Sequence, residues 1–188
     1  MREPRSSTSP PPGKRTFLQT TDMSYGTVRG MGHQVRAARS EDFEACLQIV
    51  RALPDFFTED VADKVRGDLE RHDGWVIVEA GETVGFVIVD RRSSQAAEIL
   101  WIAVEPACRN SGFGTRLLDH VLALLRDQGV ALVEVKTLDR SAAYEPYEAT
   151  QAFYERNGFV QIDCIDELPG WPPGNPAAIF VVSLETTK

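Results

Sequence analysis

From Gln34 onward the hydrophobic residues fall into runs with the periods of strands and helices, whereas the residues before it do not. The pattern opens with a short strand, 34–38. Ser40 is then expected to cap a helix with Glu41, Asp42 and Glu44 in its first turn and Phe43, Cys46, Leu47 and Val50 along its apolar stripe. Thr58, ahead of Glu59 and Asp60, predicts the start of a second helix that ends near His72. Two apolar runs, 75–79 and 83–89, meet around Ala80, Gly81 and Glu82 and predict an antiparallel hairpin. A third strand follows over 97–104. Next comes a strongly amphipathic helix from about Gly114, with Leu117, Leu118, Val121, Leu122 and Leu125 on its buried stripe and Gly129 as its stop. The β-branched run 130–137 predicts a buried strand parallel to 97–104, because a helix separates the two. A helix over 148–157 stops at Gly158, and strands over 159–165 and 177–184 flank the loop 168–175. The order is β-α-α-β-β-β-α-β-α-β-β, and no internal repeat interrupts it.

Residues 1–33 read differently. Ser6 to Ser9 run into Pro10, Pro11, Pro12 and Gly13 without apolar periodicity, which predicts a disordered tail ahead of a domain spanning 34–188. The tail is rich in Arg and Ser and poor in acids, as organelle transit peptides are, but its prolines oppose an amphipathic helix. An extension or an over-long start is the expectation, since Met23 and Met31 are alternative starts.

Hydrophobic residues at 43% and charged residues at 26% of 188 fit one globular domain with a sizeable core and one active site. Cys46, Cys108 and Cys164 are too few and too scattered for a disulfide network, and His33, His72 and His120 have no ligand cluster around them. A reducing, cytoplasmic setting and no metal are therefore expected. No apolar run approaches a membrane span, and the N-terminus lacks the apolar stretch of a secretory signal. The first 33 residues hold five basic residues against two acids, so of the total charge of −8 the remainder carries −11. An acidic body disfavours nucleic acid as a partner and favours a cationic small molecule.

The chemistry is concentrated in residues 98–116. A buried strand, a turn containing Gly112 and Gly114, and a helix N-terminus together aim successive backbone N–H groups outward, the arrangement that holds a pyrophosphate. The glycines remove side chains that would keep phosphate oxygens from the amides, and Arg109 adds a cation at the rim. Two glycines before a helix also serve merely to make tight turns; the surrounding pattern adds weight.

Val104, Pro106, then Arg109, Gly112 and Gly114 opening a helix resembles the acyl-CoA-binding motif of the GNAT N-acetyltransferases. Ala152, Phe153, Tyr154, Gly158 and Phe159 resemble the same family's second motif, and the likeness covers roughly 34–185. The resemblance implies an α/β (α+β) GNAT acyl-CoA N-acyltransferase fold, a mixed central sheet flanked by helices, acting as an acetyl-CoA-dependent N-acetyltransferase. It implies that the amides of Arg109, Asn110, Ser111, Gly112, Phe113, Gly114 and Thr115 cradle the pyrophosphate, and that the backbone of Ile102, Ala103 and Val104 pairs with the pantetheine arm. One departure stands out: many members carry Asn where this chain has Tyr147, so a cofactor contact is lost or replaced there.

Acetyl transfer needs a deprotonated amine and a proton for the departing thiolate. Tyr154 matches the family's general acid; the other reading is an aromatic that fills the core. Tyr147 and Thr150 are expected to share its face, with Ala149, Ala152 and Phe153 on the packing side. Glu98 has the spacing of the base in the family's histone-acetyltransferase branch, with Glu134, Glu105 or a water chain as alternatives. The family's acceptor wall corresponds to 53–58 and 168–176, which offer Asp55, Phe56, Phe57 and Trp171, with Asp166 and Glu167 nearby. Aromatics beside carboxylates suit a small cationic amine; equally, Phe56 and Phe57 fit a core and the proline loop a rigid connector or homodimer contact. Two rivals are a non-catalytic acyl-CoA sensor on the same fold and a Rossmann domain. The latter's glycines should follow the first strand of a parallel unit, and here they follow a hairpin and a third strand.

Overall fold

The computed structural model describes residues 32–185, so residues 1–31 of the expected tail lie outside the described residues. His33, also assigned to that tail, already belongs to the body: its ring packs edge-on against Phe113 at 4.5 Å. The elements are β1 (Gln34–Ala37), α1 (Phe43–Arg51), α2 (Val61–Arg71), β2 (Asp73–Glu79), β3 (Glu82–Arg91), β4 (Ala96–Val104), α3 (Phe113–Asp127), β5 (Leu132–Leu138), α4 (Pro146–Arg156), β6 (Val160–Ile165) and β7 (Ala177–Ser183). Their order is the one that the hydrophobic pattern predicts, with short 3-10 turns at 40–42, 106–108 and 140–142.

All seven strands form one mixed sheet in the order β1-β2-β3-β4-β5-β7-β6, with β4 and β5 parallel and the other neighbours antiparallel. The hairpin between β2 and β3 turns through Ala80 and Gly81, both at positive φ, which matches the twist of the flanking strands. On one face α3 lays Leu117, Leu118, Val121, Leu122 and Leu125 against Val87, Ile99 and Val135. Each fully buried leucine contributes about 1.5–3 kcal/mol of transfer free energy. Against the other face, α1 and α2 pack Leu47, Val50, Val65 and Leu69 onto Phe86, Ile88 and Ala103. Gly85 permits this close layering, because a Cβ there would lie 2.9 Å from the Ala103 carbonyl oxygen and 3.2 Å from Leu117.

The helix starts differ from the expected ones. Ser40 opens a 3-10 turn, and α1 begins at Phe43 without a side-chain cap. Asp42 instead receives two hydrogen bonds from Arg36, at 2.6 and 2.7 Å, and one from the Arg39 N–H at 2.8 Å. A bidentate guanidinium plus a backbone donor outcompetes a helix cap for this carboxylate. Likewise Thr58 donates its hydroxyl to Asp60 at 2.5 Å instead of capping, and α2 starts at Val61. In α4 the buried positions are Gln151 and Tyr154, while Ala149, expected on the packing side, is exposed. Gln151 takes the inner place because its side-chain amide donates to the Leu138 carbonyl at 2.5 Å. Among the described residues no helix is long and apolar enough to cross a membrane.

Candidate active site

The site arises where two parallel strands part. β4 pairs with β5 only from Ala96 to Ile99, opposite Leu132 to Val135, but pairs with β3 along its whole length. Leu100 is an extra residue in that second ladder, since Ile99 faces Val89 and Trp101 faces Ile88. A bulge increases the local twist and turns the strand away from its neighbour. Beyond it, Leu100 to Val104 present a backbone edge to a cleft of about 1580 Å³. Ile102, Ala103 and Val104 line one wall and Val135 to Leu138 the other. An unpaired strand edge is where an extended, amide-bearing ligand adds as a strand.

At the C-terminal end of β4 the chain makes the expected turn. Asn110 has φ 62° and Gly112 has φ 81°, a conformation that glycine adopts at little cost. α3 starts at Phe113, and no side chain caps its N-terminus. Its orphan amides face the same cleft, whose lining includes Arg109, Asn110, Gly112, Phe113, Gly114 and Thr115. Ser111 is exposed beside them. The side chain of Phe113 is 3% exposed and belongs to the core, so only its backbone serves the turn. Gly114 sits against Phe153, 3.4 Å from where its Cβ would stand. Arg109, expected simply at the rim, lays its guanidinium 4.4 Å over the ring of Phe56.

Tyr154 on α4 is 4% exposed, its ring against Phe153, Phe159 and Phe180. The ring fills the core, and the residue also lines the cleft. Burial, reinforced by Tyr147, pushes its hydroxyl well above the ordinary tyrosine value, so it stays a proton donor. Tyr147 lies about two helical turns earlier on α4. Burial pushes its pKa up to about 12, and its hydroxyl donates to the Phe56 carbonyl at 2.7 Å. The position expected to touch the cofactor arm is thus turned toward the α1–α2 connection.

Glu98 is buried on β4 and lines the cleft. Its carboxylate accepts from Arg92 Nε at 2.8 Å and from Lys136 Nζ at 2.7 Å, with a further close contact to the Arg92 fork. Both carboxylate oxygens are thus engaged by cations, Oε2 by Arg92 and Oε1 by Lys136. Glu134 pairs with the same Lys136. Neither Glu134 nor Glu105 lines the cleft.

Asp55, Phe56, Phe57 and Trp171, the residues expected at an acceptor wall, all line the cleft, with Asp55 exposed. Two residues passed over in the sequence join them. The Trp101 indole donates to Asp68 at 2.7 Å and meets Phe57 edge-on at 6.0 Å. Alternation along β4 conceals Trp101, because the bulge at Leu100 shifts every later residue to the opposite face. Among the described residues no group of three or more His, Cys, Asp or Glu is placed to hold a metal ion.

Residues 70–161 match the model of the acetyltransferase (GNAT) domain. These residues carry a GNAT acetyltransferase domain, whose activity is acyl transfer, and the fold is that of solved GNAT structures. A phage protein named 5-NmdU N-acetyltransferase, from Pseudomonas phage PaMx11, is 27% identical over 131 residues, covering 67% of this chain and 86% of its own. A structure assigned to the GNAT family from Desulfovibrio desulfuricans superposes with TM-score 0.72 at 21% identity, over 82% of this chain and 100% of the other. An aminoglycoside 6′-N-acetyltransferase solved with coenzyme A has TM-score 0.64 at 16% identity, over 82% and 99%.

Proposed function

We propose that the chain moves an acetyl group from acetyl-CoA to the primary amine of a small cationic molecule. The observation that carries this reading is the parting of β4 and β5, with an uncapped helix N-terminus at one end of the cleft and the buried hydroxyl of Tyr154 along it. The fit to acyl-CoA is direct. The free edge of Leu100 to Val104 suits the amides of a pantetheine arm, and the amides of Arg109 to Gly114 suit a pyrophosphate.

Acetyl-CoA supplies an activated thioester. Backbone groups of Ile102 to Val104 orient the arm. Tyr154, kept protonated by burial, gives its proton to the leaving thiolate. The amine loses its proton to water. Glu98 directs its two oxygens at Arg92 and Lys136 and so braces β4 against β5 at the cleft instead of facing the amine.

Support for a cationic acceptor comes from Asp55 and Asp68 beside Phe57, Trp101 and Trp171, and from the charge of −11 outside the first 33 residues. The phage relative is likewise named an N-acetyltransferase. A screen of amines with acetyl-CoA and free-thiol detection tests the reading. Turnover with cationic amines is expected, with Asp55→Asn raising the amine KM and leaving the acetyl-CoA KM unchanged. Acceptors confined to neutral or anionic amines, or a kinetically silent Asp55→Asn, would remove the charge argument.

A further inference from the structure

We propose that Phe56 is a wall shared by both substrate sites, through which the phosphate loop and α4 position the acceptor loop, residues 53–58. The proposal rests on the acyl-CoA reading above and goes beyond it. Three interactions converge on this one residue. The Arg109 guanidinium covers its ring at 4.4 Å, the Tyr147 ring packs against it at 5.4 Å, and the Tyr147 hydroxyl donates to its carbonyl at 2.7 Å. Tyr144 extends the stack at 6.1 Å from Tyr147. Leu53, Asp55, Phe56 and Phe57 all line the cleft, so holding Phe56 fixes the wall that an acceptor meets.

Arg109 can serve both sites at once. A guanidinium stacked by its face keeps its N–H groups free in the plane of the fork, where they donate to phosphate oxygens. Fixing Arg109 on a pyrophosphate therefore fixes the ring beneath it, and cofactor binding stiffens a segment that need not touch the cofactor. Tyr147 is accordingly a positioning residue for the acceptor loop, which accounts for the departure from the family's Asn.

Hydrogen exchange with coenzyme A as the probe tests this, because the Phe56 and Phe57 amides both donate to the Leu53 carbonyl and exchange measurably. In the unmodified chain, saturating coenzyme A should slow exchange at 53–58 about fivefold or more, together with 102–115. Phe56→Leu should retain protection at 102–115 while 53–58 returns to within roughly twofold of the ligand-free rate. Tyr147→Phe keeps the ring and loses the hydrogen bond; it should speed exchange at 53–58 with and without ligand and leave coenzyme A affinity within about twofold. The proposal is overturned if 53–58 stays unprotected while 102–115 is protected, or if protection of 53–58 survives Phe56→Leu. It also falls if Tyr147→Phe weakens coenzyme A binding tenfold or more without changing 53–58. Absence of any coenzyme A protection at 102–115 overturns the acyl-CoA reading itself, and this inference with it.

Discussion

Tyr154→Phe separates stability from catalysis because the structure assigns the ring and the hydroxyl of this residue to different tasks. The ring stands 5.3, 5.5 and 6.2 Å from those of Phe153, Phe159 and Phe180, and a phenylalanine occupies the same hole. The hydroxyl has no hydrogen-bond partner among the described residues, so its removal breaks no bond and orphans no partner. Stability should therefore change by less than about 1 kcal/mol in either direction. For a domain of this size that is a melting shift of no more than about 2–4 °C. Turnover should fall about 10- to 10⁴-fold, or roughly 1.4 to 5.5 kcal/mol of barrier, with acetyl-CoA affinity intact. Because burial raises the Tyr154 pKa, the wild-type rate should also show no loss near the ordinary tyrosine value of about 10. Scanning calorimetry with free-thiol detection across pH measures all three. A variant that melts many degrees lower and turns over normally would refute the reasoning and leave Tyr154 a core aromatic alone.

Acetyl-CoA should raise the melting temperature of the wild type, and Gly112→Asp should abolish that shift, because it forces a side chain onto φ 81° and sets a carboxylate beside the phosphate site; normal cofactor binding by this variant would misplace the phosphate loop. Glu98→Gln should cost about 1–3 kcal/mol of stability by leaving Arg92 and Lys136 without their anion, while the pH profile of kcat/KM keeps its shape. A normal melting temperature with a shifted pH profile would restore Glu98 as the base. Asp42→Asn should cost about 2–3 kcal/mol by unpairing Arg36, read by denaturant unfolding. The Arg36 hydrogen bonds hold the Asp42 carboxyl below its ordinary value, so its contribution is complete above the unfolded pKa of about 3.9 and is lost as pH falls toward the folded one. An acid unfolding midpoint unmoved by the substitution would contradict this.

What the sequence reveals and what it hides divide along the range of the interactions involved. Helix α3 is legible because its five leucine and valine contacts repeat at a helical period within one segment, and the turn at Gly112 is legible because positive φ leaves its mark on a single residue. The partners of Asp42 and Glu98 are hidden for the opposite reason. An acid in the first turn of a helix reads as a partner for the helix dipole, and an acid on a strand near a cofactor motif reads as a base. In each case the deciding partners are cations whose placement depends on the fold: Arg36 on a different element for Asp42, and Arg92 beyond β3 with Lys136 on β5 for Glu98.

The candidate site follows the same rule. Its cofactor half is carried by backbone conformation over a few consecutive residues, so residues 109–114 announce it. Its acceptor half is carried by contacts across long stretches of chain: Tyr147 reaches back to Phe56, Trp101 reaches Asp68, and Arg109 reaches Phe56. The bulge at Leu100 adds a second obstacle, since one extra residue reverses the inward and outward sense of Trp101 while the hydrophobic run stays unbroken. A fold that fixes its donor by local geometry and its acceptor by distant side chains can keep one chemistry while the acceptor changes. Substitutions at 56, 68, 101 and 147 should therefore alter which amine is acetylated before they alter whether acetyl-CoA binds, and the amine and acetyl-CoA KM values of those four variants, measured side by side, decide the point.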